Sequence, residues 1–297
     1  MLMTAASACK QRLPLRLMSR TVSTAEVPPP LIQCTRMATI VEALDLSKNY
    51  GRFGALEGID LSIPEGSVFA LLGASGAGKT TFIKTLLNII APTRGAATVL
   101  GVDSRAIGPA TLAQIGYVSE NQALPARLRV ADFFTYLRPC YPMWNRDLEN
   151  ELRERLRLPA RRKIGALSHG MRLKMALACA LPFRPRLLVL DEPLSGLDAL
   201  ARDEVIGGFL PQAGATTILV SSHELDEVER FATHVAFLHE GRLLFQGSLD
   251  ALREHARPLL GNSSVLEARA GPSLRTMFVA MVSAARRSPA ETAAALH

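Results

Sequence analysis

No stretch of about 18 or more consecutive apolar residues occurs; the longest, such as Leu187-Leu188-Val189-Leu190, are only strand length. A membrane-spanning helix is therefore not expected, and a membrane role would have to come through a partner. The 4 cysteines, Cys9, Cys34, Cys140 and Cys179, include no close pair. Their spacing indicates neither a disulfide framework nor a zinc site and fits a reducing compartment. His169, His234 and His239 have no metal-ligand spacing. Internal repeats and sustained heptads are also missing. The net charge is +7, but Lys10, Arg12, Arg16, Arg20 and Arg36 against Glu26 alone place more than half of that excess before residue 37. With no aromatic-plus-basic recognition motif beside it, this charge does not point to nucleic acid as a partner.

The composition that remains is that of a folded protein. Over 297 residues, 48% are hydrophobic and 21% charged, enough to bury a sizeable core. Residues 1–37 are set apart. They are Arg-rich, nearly free of acids and contain Ser and Ala, like an organelle transit peptide. They also read as a disordered extension, and Pro28-Pro29-Pro30 before Met37-Ala38-Thr39 allows a start at Met37. Disorder or a displaced start is preferred over targeting.

From Thr39 the pattern becomes regular. Ile40 to Leu46 reads as a strand, and Ile59-Asp60-Leu61-Ser62-Ile63 alternates apolar and polar like a half-buried one. Val68 to Leu72, Leu187 to Leu190 and Thr217 to Val220 are continuous apolar runs suited to strands covered on both faces; Val235 to Leu238 follows. Between them, at about 120–182, helical periods (Leu148, Leu152, Leu156; Leu173, Ala176, Leu177, Ala180) describe a helical insertion punctuated by prolines. Alternating strands and helices predict an α/β fold with a mostly parallel sheet. Ser273 to Val279 reads as a short helix, and Ser288 onward as frayed.

One loop carries unmistakable chemistry. Gly73-Ala74-Ser75-Gly76-Ala77-Gly78-Lys79-Thr80 satisfies G-x-x-x-x-G-K-[ST], lies between a buried strand and a helix, and is followed by Thr81. Glycines let successive N–H groups curl around phosphate oxygens, and the helix start adds its positive dipole end. Lys79 is placed for the β- and γ-phosphates and the Thr80 hydroxyl for magnesium. Downstream, Leu187-Leu188-Val189-Leu190-Asp191-Glu192-Pro193 delivers two carboxylates to the carboxyl edge of the sheet, where ligands bind in open α/β sheets. Asp191 is the candidate for Mg²⁺, and Glu192 for orienting and deprotonating the attacking water.

Taken in order, these motifs resemble the nucleotide-binding subunit of ATP-binding cassette transporters, over roughly residues 38–250. Leu167-Ser168-His169-Gly170-Met171 is similar to the family signature, Ser195-Gly196-Leu197-Asp198 to the loop after the acidic strand, and Ser221-Ser222-His223 to the switch histidine. Tyr50 occupies the position of the aromatic residue on which adenine stacks. The resemblance implies a P-loop NTPase core spanning 38–255, with an antiparallel β subdomain, the helical insertion, and a partly disordered extension over 256–297. It implies ATP and Mg²⁺ as cofactors, and catalytic roles for Lys79, Glu192 and His223. Ser168 and Gly170 would complete the γ-phosphate site of a second cassette, identical or related. A separate multi-span permease would lie at the cytoplasmic face of a bacterial membrane.

Two departures stand out. His169 and Met171 replace the commonest signature residues, so Ser168 and Gly170 are the transferable ones. After the strand Ile115 to Ser119, where the family usually has glutamine, stands Glu120, with Gln122 two positions later; Glu120 is preferred as the magnesium-sensing residue. The variation resembles bacterial exporter-type cassettes. A soluble cassette ATPase of DNA repair, chromosome structure or translation is the alternative, but no coiled coil separates Lys79 from Ser168. Cys179 reads as packing, and Glu224, Asp226, Glu227 and Glu229 as a solvated helix face.

Overall fold

The two strand patterns in the sequence are sorted into two different sheets. The computed structural model describes residues 38–120, 122–209, 214–260 and 272–286. The alternating strand, β2 (Phe53–Pro64), pairs antiparallel with β1 (Thr39–Tyr50) in the register Val41↔Ile63 and Ala43↔Leu61. On its far side β1 meets β4 (Arg94–Val99), and β5 (Val102–Asp103) closes a four-stranded antiparallel sheet in the order β2-β1-β4-β5. One face is wet and the other buried, as alternation requires.

The continuous apolar runs become β3 (Val68–Leu72), β7 (Leu187–Asp191) and β8 (Thr217–Ser222) in the middle of a six-stranded sheet. With β6 (Ile115–Ser119), β9 (His234–His239) and β10 (Arg242–Ser248) its order is β10-β9-β3-β8-β7-β6, parallel apart from the β9–β10 hairpin. Because side chains alternate along a strand, this sheet feeds two cores. Phe69, Leu71, Val189, Leu219 and Ala236 face the antiparallel sheet and helix α1 (Lys79–Leu86). Ala70, Leu72, Leu188, Leu190, Val220 and Phe237 face the opposite core. A mixed α/β core with an antiparallel sheet and a helical insertion is thus the architecture the sequence predicted.

The insertion lies between β6 and β7 and holds α3 (Val130–Leu137), α4 (Arg146–Arg155) and α5 (His169–Ala180). The remaining helices are α2 (Pro109–Leu112), α6 (Ala199–Phe209), α7 (Leu225–Val228), α8 (Leu249–Leu260) and α9 (Leu274–Arg286). The last is longer than the short helix expected. Leu274, Met277, Phe278 and Met281 fall at i, i+3, i+4 and i+7, a stripe that docks on the core, with the Phe278 ring edge-on to Phe237. Residues 1–37 and Ser288 onward lie outside the described residues. The acidic stretch is not simply solvated. Glu224 holds Arg202 through both oxygens (Nη2 to Oε1, 2.7 Å), and Glu229 Oε2 accepts the N–H of Leu274 at 3.4 Å. These acids help fasten α6 and α9 to the body.

Inside the insertion one carboxylate is wholly buried. Glu149 has 0% exposure and receives Arg138 Nε (2.9 Å) and Nη2 (2.7 Å), Trp144 Nε1 (2.9 Å) and Arg153 Nη1 (3.4 Å). Burial opposes its ionisation, but the hydrogen bonds from Arg138 and Trp144 outweigh that and hold the carboxyl below its usual range. The group therefore stabilises the fold above the unfolded carboxyl value, and that contribution fades as pH falls through the lower folded value. Glu149→Ala leaves two arginines with a missing partner, and chemical denaturation should register a loss of about 3 kcal/mol near neutral pH. The gap between wild type and variant should narrow below about pH 4.

Candidate functional site

The loop after β3 is shaped by two close approaches. An added Cβ at Gly73 would fall 2.2 Å from the Leu238 carbonyl oxygen, and one at Gly78 would fall 2.6 Å from that of Ala55. Gly78 also has φ +106°, in the left-handed region. The loop therefore passes tightly between β9 and the start of β2 and turns directly into α1 at Lys79. Residues 75–81 of the loop line one cavity at the positive end of α1, the arrangement that favours an anion.

That cavity measures about 620 Å³ and is lined by Tyr50, Phe53, Ala55, Ser75, Gly76, Ala77, Gly78, Lys79, Thr80, Thr81, Glu120, Glu192, Ser195 and His223. Lys79 is only 5% exposed. All three hydrogens of its ammonium can be used: Nζ lies 2.7 Å from Gly73 O, 3.1 Å from Ala74 O and 3.0 Å from Glu192 Oε1. Gly73 and Ala74 thus serve the site through their carbonyls without lining the cavity.

The ends of β7 and β8 supply the other half. Asp191, 3% exposed, accepts on one oxygen from Thr80 Oγ1 (3.1 Å) and Ser221 Oγ (2.7 Å). Ser221 Oγ in turn accepts the Glu192 N–H at 2.9 Å. Glu192 has φ +51°, a conformation that costs a non-glycine residue about 1–3 kcal/mol and recurs at functional sites. Its second oxygen accepts from His223 Nδ1 at 2.7 Å and from the His223 N–H at 3.3 Å. A carboxylate can only accept, so this contact sets the proton on Nδ1 and leaves Nε2 for another partner. Among the described residues no group of three or more His, Cys, Asp or Glu side chains could hold a metal. The Thr80 hydroxyl beside Asp191 is a pair of hard oxygen donors, suited to a small divalent cation that takes its other ligands from water and phosphate.

Of the two residues after β6, Glu120 lines the cavity and accepts from Ser195 Oγ at 3.0 Å. Gln122 turns back instead, its Oε1 accepting from Ser119 N (3.1 Å) and Oγ (3.2 Å). Ser168 and Gly170 are not among the residues lining this cavity. Ser168 caps α5 by accepting the Met171 N–H at 3.3 Å, and an added Cβ at Gly170 would sit 3.3 Å from Leu197. Two residues had no role assigned from the sequence. Ser221, noted only as part of the Ser221-Ser222-His223 motif, ties Asp191 to Glu192 from the hydroxyl pair that closes β8. Phe53 had no signal of its own beyond standing at the start of β2.

The chain matches the family described as ABC transporter over residues 56–195. It is 32% identical over 228 residues to the bacitracin transport ATP-binding protein BcrA of Bacillus licheniformis, spanning 75% of this chain and 74% of that protein. Identity to the daunorubicin resistance ATP-binding protein DrrA2 of Streptomyces coeruleorubidus is 34% over 220 residues, spanning 72% and 68%. Among solved structures, the ATP-binding subunit of an ABC transporter superposes with a TM-score of 0.71 at 28% identity, covering 82% of this chain and 100% of that one.

Gly78→Ala places a methyl group against backbone in a conformation alanine resists. It should cost at least about 1–3 kcal/mol or displace the loop, and a thermal shift on adding ATP, expected for wild type, should shrink or vanish.

Proposed function

This chain belongs to the ABC transporter family of ATP-binding subunits, which couple ATP hydrolysis to transport, and from that premise we propose that it is one half of a head-to-tail ATPase dimer. The observation that carries the proposal is the Glu192 carboxylate, held between Lys79 Nζ at 3.0 Å and His223 Nδ1 at 2.7 Å. A base oriented from both sides sits beside a loop built for phosphates. In this reading residues 38–255 form the ATPase unit, with 120–182 as its helical subdomain.

ATP enters with its triphosphate along the phosphate loop, residues 73–81, and its base at Tyr50. Lys79 moves its charge onto the β- and γ-phosphates. Thr80, Asp191 and Glu120 are the residues to hold Mg²⁺ or its waters, and when bound the ion neutralises charge developing on the phosphates. Glu192 orients a water in line with the γ-phosphorus and takes its proton. His223, anchored to Glu192 through Nδ1, presents Nε2 to the γ-phosphate. Ser168 and the Gly170 N–H, at the start of α5, serve the γ-phosphate of a facing cassette, identical or related.

Among the described residues no helix is long and apolar enough to cross a membrane, so the motor would act on a separate multi-span permease. Names such as bacitracin transport and daunorubicin resistance among the relatives support export as the direction and the cytoplasmic face of a bacterial membrane as the place. The test is Glu192→Gln. It should retain ATP binding, form an ATP-dependent dimer on size exclusion, and lose turnover by about 10²–10⁴-fold. Normal turnover would remove Glu192 from its role.

A further inference from the structure

Two aromatic rings stand at the mouth of the cavity, and only one has been given a task. Tyr50 ends β1 and Phe53 begins β2; they are directly opposed across the turn at Gly51-Arg52. Cross-strand partners project to the same face of a sheet, and so do residues two apart on a strand. Tyr50, Phe53 and Ala55 therefore share a face, and all three line the cavity that contains the phosphate loop. The position of that face is fixed relative to the loop, because the Ala55 carbonyl oxygen packs against Gly78 and Gly241.

The rings differ in their surroundings. Lys48 Nζ, anchored on the Ala91 carbonyl at 2.8 Å, lies 5.2 Å from the centre of the Tyr50 ring and holds it in place. Phe53 is 65% exposed. Among the described residues, no ring or cation packs on it. What sets Phe53 apart from other exposed apolar side chains is that it lines the cavity of the phosphate loop, and an aromatic face open to a ligand cavity is what a planar base requires.

We propose that Phe53 is a second nucleobase-contacting residue, forming with Tyr50 a two-ring aromatic site for the base of the nucleoside triphosphate. This rests on the phosphate-loop reading above and adds to it the claim that base recognition is divided between the two strands of the β1–β2 hairpin. Phe53 carries no polar group, so its contribution is stacking on a base rather than hydrogen-bond discrimination between bases.

The experiment compares Mg-ATP with inorganic tripolyphosphate, which has the phosphates but no base, by calorimetry on the full chain. Phe53→Ala should weaken ATP about 5- to 50-fold while leaving tripolyphosphate within about twofold, and Phe53→Trp should restore ATP affinity. Tyr50→Ala should weaken ATP without cancelling the effect of Phe53→Ala in the double variant. Unchanged ATP affinity in Phe53→Ala would overturn the proposal. So would equal loss of both ligands, which would mark Phe53 as a support for the loop. Failure of wild type to bind either ligand would instead defeat the phosphate-loop reading itself.

Discussion

A buried ammonium organises this site. Lys79 is 5% exposed, and a charge so removed from water must be compensated by its neighbours. The compensation comes from three directions: the carbonyls of Gly73 and Ala74 at the start of the loop, and the carboxylate of Glu192 at the end of β7. Those contacts tie the loop, α1 and β7 into one unit. Through Ser221 and His223 the end of β8 joins them. Tight packing of the loop against Leu238 and Ala55 then leaves glycine as the only residue that fits at positions 73 and 78.

The larger fold follows from where the two strand patterns go. Alternating strands can face water on one side and so build the antiparallel sheet; the apolar runs cannot, and occupy the middle of the parallel one. With both faces of the parallel sheet covered, its carboxyl edge is the open place for a ligand. Asp191, Glu192 and His223 arrive there because they directly follow the buried residues of β7 and β8 or end them.

Much of this was legible in the sequence, for a physical reason. A phosphate loop and a strand ending in acids are local patterns, fixed by residue type and short spacing, and the fold class follows from periodicity. Contacts between distant elements leave no such trace. Nothing in the order Glu120-Asn121-Gln122 says which side chain faces the cavity; that depends on Ser195 reaching Glu120 and Ser119 engaging Gln122. Glu224 and Glu229, which flank α7, read as solvated because their partners, Arg202 and the start of α9, lie far off in the chain. Phe53 is a lone apolar residue after a turn, and only the cross-strand register puts it beside Tyr50.

The central claim is that Lys79 belongs to half of a site whose other half, Ser168 and Gly170, sits on a second copy or a related cassette. Mixing two inactive variants tests this directly. Lys79→Ala removes the phosphate-binding side, and Ser168→Arg blocks the signature side. A mixed dimer would contain one site with an intact Lys79 from one chain and an intact Ser168 from the other. ATPase activity of the mixture should rise well above that of either variant alone, with a dependence on protein concentration that reflects association. A mixture no more active than its components, while wild type hydrolyses ATP under the same conditions, would contradict the account.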